Sequence, residues 1–410
     1  PAPVTAEVTA LGRILSYHAV HIARPPTLPL DVPQFGLTPT QLLTTYNAGP
    51  LATTGKGQTI VFFEIEQYNQ FDLDSYATTF GLPKFTPALV GGQPALPPLG
   101  ETDMELEVAH AIAPDARLVV VNALTGFGLD QNDEATTWQK VATMFESADR
   151  QFPGAIWSLS LILDCDKMLT LTDVRPARAA LATAETHGTS AFTSAGDTGG
   201  LECKGRPGDD FSGFSDPPTD DDIGVNTLAA LAEMTDVGGT SLSTDKNGVW
   251  LAEATWGFSP MSQGTGGGLS HLFSRPAWQN GLSSPKDSTQ TQRLTPDVAA
   301  VADPYTGVYL VEGGQWQQGG GTSQSAPIWA ALTALMNQYL LEHGGNALGD
   351  LNPLLYRVAA GAARPAFHDV TVGGNAVDNA APGYDLVTGL GTPNVDNLVH
   401  DLLDIQQGTR

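Results

Sequence analysis

Four short runs, Thr59–Glu64, Arg117–Asn122, Ala155–Ser160 and Ser190–Ala195, are almost continuously apolar. That is the pattern of strands covered on both faces, since a strand with one wet face would alternate. Between them apolar positions return with a helical period over Leu106–Ala113, Trp138–Arg150 and Val174–Thr186. A further apolar stretch, Ile328–His343, predicts a long helix closed by Gly344 and Gly345. The order β-α-β-α predicts an α/β fold with a central, mostly parallel sheet and helices on both faces. Right-handed crossovers then collect the loops that follow the strands along one edge, where such folds carry their sites. Residues 1–35 break the pattern: they are Ala/Val/Pro-rich, with Pro25, Pro26, Pro29 and Pro33 forming a stiff extended linker. The chain is therefore read as an N-terminal extension over 1–35, a candidate tail of a pro-segment, followed by one catalytic unit over 36–410.

Charge narrows the partners. Of 410 residues, Lys and Arg number 19 against 44 Asp and Glu, a formal net charge of −25. Such a surface repels phosphate backbones and anionic lipid, so nucleic acid and membranes are not expected partners. It suits acid, where protonation relieves self-repulsion, although a merely soluble acidic protein would look the same. No apolar run approaches the roughly 18 residues that span a bilayer. There is no initiator Met and no leader pattern, so Pro1 reads as a boundary. A secreted monomer working in an acidic medium is expected.

Gly320-Gly321-Thr322-Ser323-Gln324-Ser325-Ala326-Pro327 reads as a Gly-rich turn that delivers one serine to the start of the long apolar helix. There a hydroxyl meets the positive end of a helix, and backbone N–H groups can hold a developing oxyanion. A serine nucleophile needs a base, yet none of the 8 histidines stands in a convincing base motif. His187-Gly188-Thr189 has the letters of a subtilisin-type histidine motif, but it leads into the β-rich run at Ser190 instead of opening a helix. A carboxylate pair fills the vacancy better. Glu101 and Glu105 are four apart and share one helix face, so their mutual repulsion leaves one ionised and the other protonated. Near pH 4 a carboxylate can still act as base, whereas an imidazole, with its pKa of about 6.5, is already protonated. The plain alternative is a solvated acidic helix start. Asp166, in the loop after the third strand, can face a substrate carbonyl if the sheet order holds, and stabilises an oxyanion only while protonated; a polar loop aspartate is its alternative. The fourth strand ends in the Gly-rich turn Ser194–Gly200. If the third and fourth strands are neighbours, Cys165 and Cys203 leave the same edge on adjacent loops and can be bridged.

Late in the chain, Phe367-His368-Asp369-Val370-Thr371 and Ala381-Pro382-Gly383-Tyr384-Asp385 bracket an Asn/Gly-rich loop. Its aspartates and carbonyls are the hard oxygen donors that calcium prefers, though Asx turns on a surface loop would leave the same letters.

Taken in order, these segments resemble the sedolisin, or serine-carboxyl peptidase, family, and its kumamolisin-like members most. The markers are Gly-Gly-Thr-Ser at 320–323, the Gly100-Glu101 helix followed by Ala113-Pro114, and Ser158-Leu159-Ser160 with Asp166 beyond. Ala195-Gly196-Asp197, Val237-Gly238-Gly239-Thr240 and Pro296-Asp297-Val298-Ala299 complete them with the late loop. The resemblance implies a subtilisin-like fold and acid endopeptidase activity on protein or peptide substrates. By motif match Ser323 would be nucleophile, Glu101 base and Asp166 the oxyanion residue, with Glu64 a supporting acid. One structural Ca2+ would be held by the side chains of Asp369 and Asp385 and the carbonyls of Val370, Ala381 and Gly383. Glu105 stands where the family has Asp, one methylene longer. A protein of this fold with weak or no catalysis, acting as a binding protein, is the competing expectation. Glycoside hydrolysis by the Glu pair would leave the serine turn without a role.

Overall fold

The computed structural model describes residues 15–16, 22–23, 36–129, 136–204, 219–258, 263–282, 291–361 and 363–409. Its centre is an eight-stranded sheet. The strands are β1 (Thr59–Glu64), β2 (Ala88–Val90), β3 (Arg117–Asn122), β4 (Ile156–Leu159), β5 (Ser190–Ser194), β6 (Thr235–Thr244), β7 (Trp250–Thr255) and β8 (Val298–Val301). Their order is β7-β6-β5-β4-β1-β3-β2, with β8 also pairing β6. Every pairing is parallel except β7 with β6.

The apolar runs form this sheet because both of its faces are covered. Along β1, Ile60 and Phe62 enter one hydrophobic core while Val61 and Phe63 enter the other. β3 divides in the same way, Leu118 and Val120 against Val119 and Val121. Alternate side chains point to opposite faces of a strand, so a strand between two cores must be apolar throughout. The first core lies under α1 (Glu101–Ile112) and α4 (Thr322–Glu342), which pack on each other. The second lies under α2 (Thr137–Gln151) and α3 (Leu171–Thr186), also mutually packed.

Of the expected N-terminal extension, only two backbone pairs belong to the described residues. Leu15–Ser16 pairs antiparallel with Ile162–Leu163, and Ile22–Ala23 with Gln317–Gln318. The proline-rich linker lies outside the described residues. Cys165 and Cys203 form a disulfide with a Cα–Cα distance of 4.9 Å. It joins the loop after β4 to the loop after β5, neighbouring strands as the bridge required. Among the described residues no helix is long and apolar enough to cross a membrane.

Candidate active site

The parallel strands end on one edge, and the polar groups there come from β1, β4, β5 and the first turns of two helices. Gly100 precedes α1 with φ 106, a left-handed conformation that any side chain would strain. The helix therefore starts abruptly, with Glu101 as its first residue. α4 begins at Thr322, after Gly321 at φ 89. Gly320 lies against Pro304, so closely that a Cβ there would sit 2.6 Å from the proline ring. Only glycine lets the turn through, and Ser323 follows as the second residue of the helix. Pro327, one turn on, has no N–H to offer the Ser323 carbonyl; the Ser160 hydroxyl approaches that oxygen instead, at 3.5 Å.

Glu101 is fully buried, and the Ser323 hydroxyl lies against its carboxyl. Burial pushes Glu101 well above the ordinary carboxyl range, the serine contact pulls it down, and the nearby Asp197 pushes it up. Among the described residues, neither Glu101 oxygen makes a hydrogen bond of good geometry. A buried carboxyl with open lone pairs beside a hydroxyl is poised to accept that proton.

Glu105 lies one turn further into the same buried site. Desolvation raises it most, followed by the charges of Glu64 and Glu101. Its hydrogen bonds do not go to Glu101, as a directly shared proton would require. They go to Glu64, Ser160 and Ser158, the last with Oγ 3.4 Å from Oε2. One of these two carboxyls carries the proton between them, since two ionised carboxylates cannot hydrogen-bond each other. Glu64 also accepts from the Thr102 hydroxyl at 3.0 Å. Ser323, Glu101, Glu105 and Glu64 thus form one cluster around the ends of β1, α1 and α4.

Asp166 is not in it. After β4 the chain adds the short strand Ile162–Leu163, and Asp164 turns it with φ 57. Asp166 is thereby carried into a 3-10 turn against the strand Gly268–Ser274. There its Oδ2 accepts from the Ser270 hydroxyl at 2.8 Å and the backbone N–H of His271 at 2.6 Å. The expectation that Asp166 faces the reacting carbonyl is corrected on that ground.

Asp197, read from the sequence only as part of a family marker, stands beside the serine turn. It leaves β5 in the Gly-rich turn, fully buried, and its Oδ1 accepts both the backbone N–H and the hydroxyl of Thr322, at 2.8 and 2.7 Å. Burial raises it to about 6 against those two bonds. The sequence carried the signal in Ala195-Gly196-Asp197; what it lacked was which of two neighbouring strand ends turns toward the serine.

No histidine competes among the described residues. His187 pairs with Asp149 at 2.8 Å, and His110 contacts the Pro83 carbonyl and lies tilted against the Phe85 ring. His271 lies 3.9 Å from Asp166. In the late loop, Asp369 accepts from Gly383 N–H at 2.9 Å and Asp385 from Ala381 N–H at 3.0 Å, so both carboxyls converge on the 381–385 turn. Among the described residues no hydrogen bond ends on the carbonyls of Val370, Ala381 or Gly383, and no group of three or more His, Cys, Asp or Glu gathers for a metal. Two carboxyls with three open carbonyls fit a hard cation rather than a transition metal.

No family model matches the chain. Kumamolisin from Bacillus sp. (strain MN-32) is 32% identical over 372 residues, which is 86% of this chain and 61% of kumamolisin. Sedolisin from Pseudomonas sp. (strain 101) is 33% identical over 225 residues, covering 53% of this chain and 35% of sedolisin. A solved structure, Pseudomonas sedolisin (serine-carboxyl proteinase) complexed with two molecules of pseudo-iodotyrostatin, superposes with a TM-score of 0.74 at 26% identity. It covers 90% of this chain and 98% of that one. The chain belongs to the sedolisin family. Its fold is accordingly the subtilisin-like one, with the serine turn and the acidic helix of this sedolisin-family chain at the same sheet edge. The chain spans about three-fifths of the length of kumamolisin.

Proposed function

We propose that this chain is a secreted, acid-active serine-carboxyl endopeptidase acting on protein or peptide substrates. The observation that carries the reading is the Ser323 hydroxyl set against the buried carboxyl of Glu101 at a helix N-terminus, with no imidazole beside it among the described residues. In this reading Ser323 Oγ attacks the peptide carbonyl while Glu101 takes its proton. The oxyanion is held by the Ser323 N–H, which lies in a first helical turn where intrahelical acceptors run out, and by protonated Asp197. Glu101 then returns the proton to the leaving amine, and water, activated by the same carboxylate, resolves the acyl-enzyme. Glu105, protonated, braces Glu64 behind the base. Asp197 takes the oxyanion role in place of Asp166, because it sits beside the nucleophile turn and keeps a buried oxygen without a partner among the described residues.

The pH range follows from the same groups. Burial makes Glu101 a stronger base once ionised, and Asp197, raised to about 6, donates only below that pH. Activity belongs to the acid side and fails as pH rises through about 6. A single Ca2+ would be held by Asp369, Asp385 and the carbonyls of Val370, Ala381 and Gly383, and would supply charge neutralisation to that loop.

A peptide aldehyde or fluorophosphonate at pH 4 should label the chain and leave Ser323→Ala unlabelled with its fold intact. Labelling that survives the substitution, or none in the parent at any acid pH, would favour a binding protein on the sedolisin fold.

A further inference from the structure

We infer that Thr322 is a positioning residue that decides which oxygen of Asp197 carries the acid proton. The inference rests on the proposed oxyanion role of Asp197 and goes one step past it. The Thr322 backbone N–H and hydroxyl both donate to Oδ1, at 2.8 and 2.7 Å. The hydroxyl has one proton to give, and its direction is fixed from behind, because Oγ1 itself accepts the Gly196 N–H at 3.1 Å. An oxygen that already receives two donors is the wrong one to protonate. The proton of the neutral acid therefore resides on Oδ2, which is buried and has no hydrogen-bond partner among the described residues.

A carboxylic acid with its proton on the free oxygen is a preorganised donor; with the proton on Oδ1 it would present a lone pair to the oxyanion and repel it. Thr322 also precedes Ser323 in the chain, so one residue registers donor and nucleophile against each other. It touches no substrate in this account and acts only through Asp197. Gly196 has its own place in the device: the Glu202 carboxyl fills the space over its Cα, and Glu202 Oε1 accepts the Thr198 N–H at 3.1 Å. The turn around Asp197 is thus held from both sides.

The test compares Thr322→Val, which keeps the shape and loses the hydroxyl, with Thr322→Ser, which restores it. The Thr322 hydroxyl bond favours the ionised form of Asp197. Its loss should move the alkaline limb of kcat to higher pH while the acid plateau falls on the order of ten- to a hundredfold, short of the hundred- to thousandfold typical of losing an oxyanion donor outright. KM should hold, and Thr322→Ser should recover most of the plateau. A second readout does not need turnover. The infrared C=O stretch that disappears in Asp197→Asn should shift in Thr322→Val and return in Thr322→Ser. If Thr322→Val leaves both the limb and the band unchanged, the inference is wrong, even where the parent is an active peptidase. If the parent has no activity at all, the peptidase reading fails while the band still decides where the proton sits.

Discussion

Glu105 is one methylene longer than the aspartate that the family resemblance assigns to its position, and the extra length reaches Glu64, Ser158 and Ser160 rather than Glu101. Fully buried and flanked by two other carboxyls, it is pushed well above the ordinary carboxyl range, toward its protonated state. A glutamine is a permanently protonated mimic of that state, able to donate to Glu64 in the same way. Glu105→Gln is therefore expected to stay within about threefold of the parent kcat at pH 4. Glu105→Ala leaves buried Glu64 and Ser158 short of a partner, a loss of about 1–3 kcal/mol, and kcat should fall at least tenfold. Both rates come from peptide hydrolysis at saturating substrate; a glutamine variant as slow as the alanine one would mean that Glu105 must ionise. At this scale the sequence was legible where a motif fixes both spacing and partner. Ser323 after two glycines and Glu101 after Gly100 are such cases. It was not legible for Asp166 and Asp197, two acids beyond the ends of adjacent strands, because Asp164 at positive φ turns the first away and no letter in the run announces that turn.

The strands were legible because β1, β3, β4 and β5 are buried between two cores and so wear continuous apolar letters. β2 was missed at three residues, and β6 was hidden by its glycine pair. α4 starts six residues earlier than the apolar stretch predicts, since its first turn is polar yet buried. Gln324 donates to the Val301 carbonyl at 2.8 Å and Ser325 to the Ala300 carbonyl at 3.1 Å, so these side chains satisfy the end of β8 instead of solvent. The late loop carries the prediction that belongs to elements. Its two aspartates each accept an N–H of one turn, and a cation held by both would tie residues 369–385 together. Chelation of calcium should lower the Tm, by about 1 °C for each kcal/mol of binding lost in a chain of this size, given an unfolding entropy of about 2.1 cal/mol/K per residue. Asp369→Asn should abolish that calcium response, and kcat well below the Tm should not change. A Tm indifferent to both calcium and chelator would remove the ion from this loop.

Across the whole molecule, burial of acids is the dominant electrostatic theme. Glu66 and Asp103 are raised to about 8 and Glu202 to about 7, in each case chiefly by desolvation. Glu64, Glu101, Glu105, Glu107 and Asp236 move in the same direction for the same reason. These groups hold their protons to a higher pH folded than unfolded, where they titrate near their ordinary values of about 4. Between about pH 4 and pH 8 the native state therefore binds more protons than the unfolded chain, and stability falls as pH rises across that window. The contribution of Glu66, Asp103 and Glu202 should level off above about pH 8, when these three have ionised in the fold too. The net charge of −25 adds self-repulsion in the same sense. Calorimetry from pH 4 to pH 8 in constant calcium should show the Tm decreasing throughout, with Glu66→Gln and Asp103→Asn each flattening the slope. A Tm that rises with pH over this range would mean that these carboxyls are ionised in the fold. The fold would then be adapted to neutral medium, and the acid assignment would lose its physical basis.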